Sequence, residues 1–140
     1  MACTITRRTP LAPAVAFAAL TDLAEHTAHV PLTDVEVPEQ GLALGAEVIA
    51  WTRLAIADRM LVTALGPGHR LRLVKTGRFL HGWADITVRP DPERPGGSSI
   101  VWAEELWLPG LKTLTRPIGD RLAAVLFARV VDGVLARAAA

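Results

Sequence analysis

The sequence predicts an α+β fold, with one antiparallel sheet of about seven strands and helices set towards the ends of the chain. Two observations carry this. Residues 32–108 run mostly at a strand period, broken by Pro- and Gly-rich turns, and they lie between helical stretches at 14–20 and 23–30 and another at 117–137. That last stretch carries Ile118, Leu122, Ala123, Leu126, Phe127, Val130, Val131 and Val134. At 100° per residue these side chains cover a broad arc centred near Leu126 and Val130. The arc is wider than one neighbouring helix would cover, and it suits a helix gripped by a curved sheet. Such a helix is roughly 30 Å long, enough to cross a small domain.

Each element has a local reason. Residues 4–8 are β-branched at Thr4, Ile5 and Thr6, which favours a first strand. Pro10 and Pro13 break it, and Pro13 suits a helix start before the good helix formers of 14–20. A second short helix at 23–30 stops before Pro31, because a residue preceding proline disfavours the α region. From Leu32 the period is two, with Val35 and Val37 alternating with Asp34 and Glu36. Strands are expected at 47–56, 60–65, 69–76, 83–89 and 99–108. Residues 57–59 read as a tight connection, Gly66-Pro67-Gly68 as a turn, and 77–82 as a loop or bulged hairpin. Residues 90–98, rich in Pro, Gly and charge, read as the most mobile loop. Pro117 then opens the long helix, where its missing N–H costs nothing.

Bulk properties exclude several classes. A length of 140 residues suits one domain over 1–140 with a real core. Although 51% of the residues are apolar, no run approaches a membrane span. The apolar run 14–20 is followed by Asp22, Glu25 and His26 where a signal-peptide cleavage site would need small residues. The single Cys3 excludes an internal disulfide and a cysteine zinc cage, so a cytoplasmic location is expected. A net charge of +1 with interspersed signs argues against nucleic acid. The cluster Arg70, Arg72, Lys75 and Arg78 reads as a solvated strand face and hairpin end.

The hairpin around 90–98 can be registered from its pattern. Pairing Ala84 with Glu104, Ile86 with Trp102 and Val88 with Ile100 gathers the apolar set, extended by Leu106, on one face. The other face then carries Trp83, Asp85, Thr87, Arg89, Ala103, Glu105 and Trp107. On this register Glu104 faces the long helix among apolar neighbours, where a carboxylate is costly unless paired, hydrogen-bonded or wet. It reads either as a polar anchor or raised-pKa acid/base in a cavity, or as an edge glutamate paired to a cation such as Arg72. A slip of one residue would put Glu105 inside instead.

The element order resembles the START/polyketide-cyclase superfamily, the SRPBCC or helix-grip proteins. Ala12-Pro13-Ala14-Val15-Ala16-Phe17-Ala18-Ala19-Leu20-Thr21-Asp22-Leu23 is similar to that family's opening helix, which ends in a Thr/Ser-Asp-aliphatic step. Residues 41–45 resemble its glycine-marked hairpin. Leu65-Gly66-Pro67-Gly68-His69-Arg70-Leu71, then Thr76-Gly77 and Gly82, are similar to its strand–turn–strand series. Ser99-Ile100-Val101-Trp102-Ala103-Glu104-Glu105-Leu106 resembles its last strand. The resemblance spans nearly the whole chain. It implies a seven-stranded sheet around the long helix, with a cavity that takes lipids, hormones, polyketides or other apolar molecules. Some members are aromatase/cyclases, but the superfamily has no universal catalytic motif to carry over. The absence of tyrosine removes one common polar cavity donor.

Other chemistries find little support. His26 and His29 share a helix face, but no Asp/Glu-rich or Cys partner motif accompanies them, so no metal is expected and both read as exposed. His69 and His81 lie near turns. No Gly-x-Ser-x-Gly elbow or phosphate-binding glycine loop occurs, and no cofactor is expected. Trp83 and Trp107, close together on the outer face, suggest a partner surface or homodimer contact.

The expected function is binding of an apolar or aromatic small molecule. Ile86, Trp102 and Leu106 from the sheet, with Leu122, Leu126 and Val130 from the helix, would form the walls, and Glu104 would fix a polar group. One alternative is a cyclase/dehydrase-like enzyme using Glu104 as acid/base. Another is a structural or interaction module whose core is filled by Trp102 and Phe127.

Overall fold

The computed structural model describes residues 3–28, 33–52 and 57–140. Strand β1 (Cys3–Thr9) is followed by helix α1 (Pro13–Thr21), a 3-10 turn (Glu25–Ala28), strands β2 (Thr33–Glu36), β3 (Glu47–Thr52), β4 (Ala57–Gly66), β5 (Arg70–Thr76), β6 (His81–Pro90) and β7 (Ser98–Trp107), and helix α2 (Lys112–Ala139). The seven strands form one antiparallel sheet in the order β1-β7-β6-β5-β4-β3-β2, curled around α2. The α+β helix-grip architecture is as the sequence predicts.

The core lies between the concave face and the C-terminal half of α2. Ile5, Leu71, Ile86, Val88 and Ile100 from the sheet pack with Ala16, Phe17 and Leu20 of α1 and with Val130, Val131, Val134 and Leu135 of α2. Arg7 of β1 donates to the Asp132 carboxylate at 2.7 Å, tying the first strand to the last helix.

The β6–β7 register is the expected one: Ala84 opposes Glu104, Ile86 opposes Trp102 and Val88 opposes Ile100. The strand alternation of buried and half-buried residues follows from it. Glu104 therefore faces inward, and Glu105 faces out.

Several expectations are corrected. Residues 57–59 are not a connection, because β4 already begins at Ala57. There Asp58 opposes Ala50, and Arg59 reaches Glu47 at 2.8 Å. Pairing with β3 and the largely buried ion pair of Asp58 with Lys75 outweigh the turn character of an Asp-Arg step. The end of the expected strand 47–56 lies at residues outside those described, as does His29. The 90–98 connection is closed rather than open. The Asp91 N–H donates to the Gly97 carbonyl at 3.0 Å, the Glu93 N–H to Asp91 Oδ1 at 3.0 Å, and Asp91 is buried beside Arg8.

Helix α2 starts five residues before Pro117. Thr115 makes this start workable. Its N–H donates to the Leu111 carbonyl at 2.9 Å, and its Oγ1 accepts from the Leu108 N–H at 2.9 Å. In the N-terminal half the inward positions are Gly119, Ala123 and Phe127. Ile118 and Leu122, expected inside, are turned to solvent. The broad apolar arc in the sequence merges two faces of the helix, one inward and one outward.

The basic cluster also divides by strand parity. Arg70 and Arg72 lie on the outer face and share Asp85, at 2.9 and 3.3 Å, while Lys75 is buried on the concave face. Trp83 and Trp107 are on the outer face as expected, but both are half-buried. The Arg72 guanidinium lies 4.7 Å over one ring and the Lys112 ammonium 4.2 Å over the other. Cations cover these rings, which removes the exposed-tryptophan argument for a dimer contact.

Candidate functional site

A cavity of about 250 Å³ remains between the sheet and α2. Of the residues expected to wall it, Ile86, Trp102, Glu104, Leu106 and Leu126 line it. Val130 is fully buried but belongs to the solid core, and Leu122 lies on an outer groove instead. The expected wall is thus corrected at these two helix positions. Trp102 does not fill the space. Its ring is tilted between His26, with centroids 5.8 Å apart, and Phe127, at 5.5 Å, and so forms one side of the cavity.

Sequence reasoning missed much of the lining. Leu23, Val35, Met60, Leu73, Leu80, Ala84 and Phe127 add apolar surface, and Asp58, Lys75 and His26 add polar groups. Lys75 was detectable, since it continues the parity of Leu71 and Leu73 on β5. His26 carried no such signal. Its placement depends on the 3-10 turn, which buries the ring and brings Nε2 within 3.0 Å of the Leu20 carbonyl.

The polar groups are gathered on the β4–β7 part of the concave face. Lys75 donates to Asp58 Oδ2, while Asp58 Oδ1 is buried and has no hydrogen-bond partner among the described residues. Glu104 is 2% exposed, and its Oε2 accepts from Trp102 Nε1 at 3.3 Å. Burial is the main cause that pushes the Glu104 carboxyl up to about 7. Lys75 and the Trp102 hydrogen bond oppose the rise, and Asp58 and Asp120 add to it. Arg72, the partner expected for an edge glutamate, pairs with Asp85 on the opposite face of the sheet.

Glu104 therefore titrates near neutral pH. It can donate a hydrogen bond, accept one or exchange a proton there. Cys3 lies directly across from it on β1. Burial first, then the Glu104 and Asp120 charges, pushes the thiol up, so Cys3 is a poor nucleophile. No cluster of three or more metal-ligating side chains occurs among the described residues. No helix among them is long and apolar enough to cross a membrane.

An apolar cavity held between a curled antiparallel sheet and a long C-terminal helix defines a helix-grip protein. By sequence the chain matches no family profile and no curated protein. By structure it is similar to XoxI from Bacillus cereus, with a TM-score of 0.73 at 8% identity, covering 97% of this chain and 94% of that one. It is similar to MLL2253 from Mesorhizobium loti, with a TM-score of 0.71 at 14% identity over 98% of both chains. It is also similar to Ara h 8.0201, with a TM-score of 0.62 at 16% identity over 97% and 99%. At these identities the likeness is one of fold.

Proposed function

We propose that the chain is a single-domain cytoplasmic member of the START/polyketide-cyclase superfamily that binds a small apolar or aromatic molecule between sheet and helix. The observation that carries this reading is the cavity itself. Cores are normally packed to crystal-like density with few voids larger than a water molecule. Here about 250 Å³ stays open under an almost wholly apolar lining. An apolar cavity of about 150 Å³ accommodates benzene, so the space suits a molecule of one or two rings. Glu104, at one side of that lining, supplies the fixing group for a hydroxyl or carbonyl.

Cavity filling tests the reading. Ala84 is buried and lines the cavity from β6. An Ala84→Phe variant places a ring in the space the ligand would use. Titration with 2-naphthol, followed by tryptophan fluorescence, should show saturable binding to the native protein. The filled variant, with an intact far-UV spectrum, should lose binding at least about tenfold. Equal binding by both proteins would sink the proposal.

A second reading has one observation in its favour. A carboxyl near 7 beside an apolar cavity is suited to proton transfer at an activated carbon acid. Glu104→Gln separates the two readings. A binder keeps its ligand, whereas a cyclase/dehydrase-like enzyme keeps binding and loses turnover.

A further inference from the structure

The outward face of α2 changes character halfway along. From residue 114 to 125 it presents Leu114, Ile118, Leu122 and Val125, each between 60% and 73% exposed, and Leu111 just before the helix is exposed too. At 100° per residue the four helical side chains fall within an arc of about 80°, a single stripe. Further along, the same stripe carries Arg129, Asp132 and Ala136, as an ordinary solvated helix would. Leu108 and Phe79 are exposed on the turns at the same end of the sheet, where His81 pairs with Trp107. Contiguous exposed apolar surface of this kind marks a binding face.

Two cations belong to the stripe and its border, Arg129 and Arg121. Lys112 lies over the Trp107 ring and Arg116 on another side of the helix, while Asp132 further along the stripe is already paired to Arg7 at 2.7 Å. Asp120 faces inward, where its Oδ1 is buried and its charge acts on Cys3 and Glu104. Neither Arg121 nor Arg129 is ion-paired among the described residues. Arg121 borders the stripe and Arg129 continues it. A second copy of the chain docked face to face would set cation against cation, which is costly. An anionic bilayer satisfies both features, because acyl chains accept the leucines and lipid phosphates accept the cations.

We infer that the N-terminal half of α2 is a peripheral docking surface for an anionic phospholipid bilayer, with Leu114, Ile118 and Leu122 set into the headgroup–acyl boundary. The helix lies along the membrane and does not cross it. The surface adjoins the interior, because Leu80, Leu106, Leu126 and Phe127 line both the cavity and an outer groove of about 590 Å³ beside the stripe. Docking stands whether or not the cavity holds a ligand.

Co-sedimentation of the full chain with vesicles tests this. Phosphatidylcholine vesicles containing about one-third phosphatidylglycerol should bind the protein at least about tenfold better than pure phosphatidylcholine, and added salt should weaken the binding. Leu114→Glu/Ile118→Glu should abolish sedimentation with an unchanged far-UV spectrum and melting temperature, because both side chains are mostly in solvent. A charge-reversed Arg121→Glu/Arg129→Glu variant should lose the preference for anionic lipid. Absence of binding to anionic vesicles overturns the inference, as does binding that survives Leu114→Glu/Ile118→Glu. So does a dimer in solution that those two substitutions convert to monomer, since the face would then be covered by a second copy.

Discussion

The indole N–H of Trp102 donates to the carboxylate of Glu104 two residues along the same face of β7, at 3.3 Å. The bond is local to one strand, so it forms as soon as the strand alternation is set. It is the only hydrogen bond to the buried carboxyl among the described residues, and the ring that makes it is also a wall of the cavity. Cavity wall and carboxyl chemistry are thus linked through one side chain.

Stability should fall as pH rises through the acid range, in the part due to Glu104. An ordinary glutamate titrates near 4.5, and the folded protein holds this proton up to about 7. Between these values the unfolded chain has lost the proton and the native state has kept it, so each pH unit costs about 1.4 kcal/mol of stability. The total is about 3 kcal/mol, lost by about pH 7 and constant above it. Glu104→Gln keeps an acceptor for Trp102 and removes the titration. In urea unfolding, the variant should gain on the native protein between about pH 5 and about pH 8. A difference that does not change with pH would contradict this assignment.

Lys75→Met should be costly for its effect on Asp58. The two side chains are 5% and 17% exposed, so removing the ammonium strands a largely buried carboxylate whose other oxygen has no partner among the described residues. Breaking such a pair costs about 3–5 kcal/mol, whereas replacing both members by apolar residues is far cheaper. Lys75→Met/Asp58→Leu should therefore recover most of the loss in a double-mutant cycle. The Glu104 midpoint should also move up in Lys75→Met, because Lys75 opposes its rise. A single-variant cost below about 1 kcal/mol would argue that water already solvates the pair.

Gly119→Ala should destabilise the protein although alanine is the better helix former. A Cβ at position 119 would stand 2.4 Å from the Leu106 carbonyl oxygen. Backbone cannot yield there without moving α2 away from β7. The helix-propensity gain of about 1 kcal/mol is outweighed by an overpacking cost of about 1–3 kcal/mol. Denaturant unfolding reads the balance, and a net gain would show that the helix is free to shift.

The sheet and the inward position of Glu104 were legible in the sequence for a definite reason. Strand side chains alternate strictly, and the row Ala84, Ile86, Val88 has one register that buries it against Ile100 and Trp102. The helix was harder. Ile118, Leu122 and Val125 look like core by composition, and only the placement of Gly119 against Leu106 shows which way α2 is rotated. Asp58 and Lys75 were misplaced because each resembles a surface residue alone. Their burial depends on facing each other across β4 and β5.

Strand β1 has a role beyond its share of the core. It pairs along its whole length with β7, and Cys3 meets Glu104 about one hundred positions further along the chain, so closing this contact carries the largest loop-entropy cost in the sheet. The meander β2–β7 can assemble by successive hairpins, whereas β1 needs a long-range contact to join it. Until it does, β7 is a bare edge of ten residues carrying Ile100, Trp102 and Leu106, a template for any extended strand of another chain. Pairing with β1 thus covers an edge that would otherwise be open to other chains, and the exposed Arg7–Asp132 pair adds a link from that strand to α2.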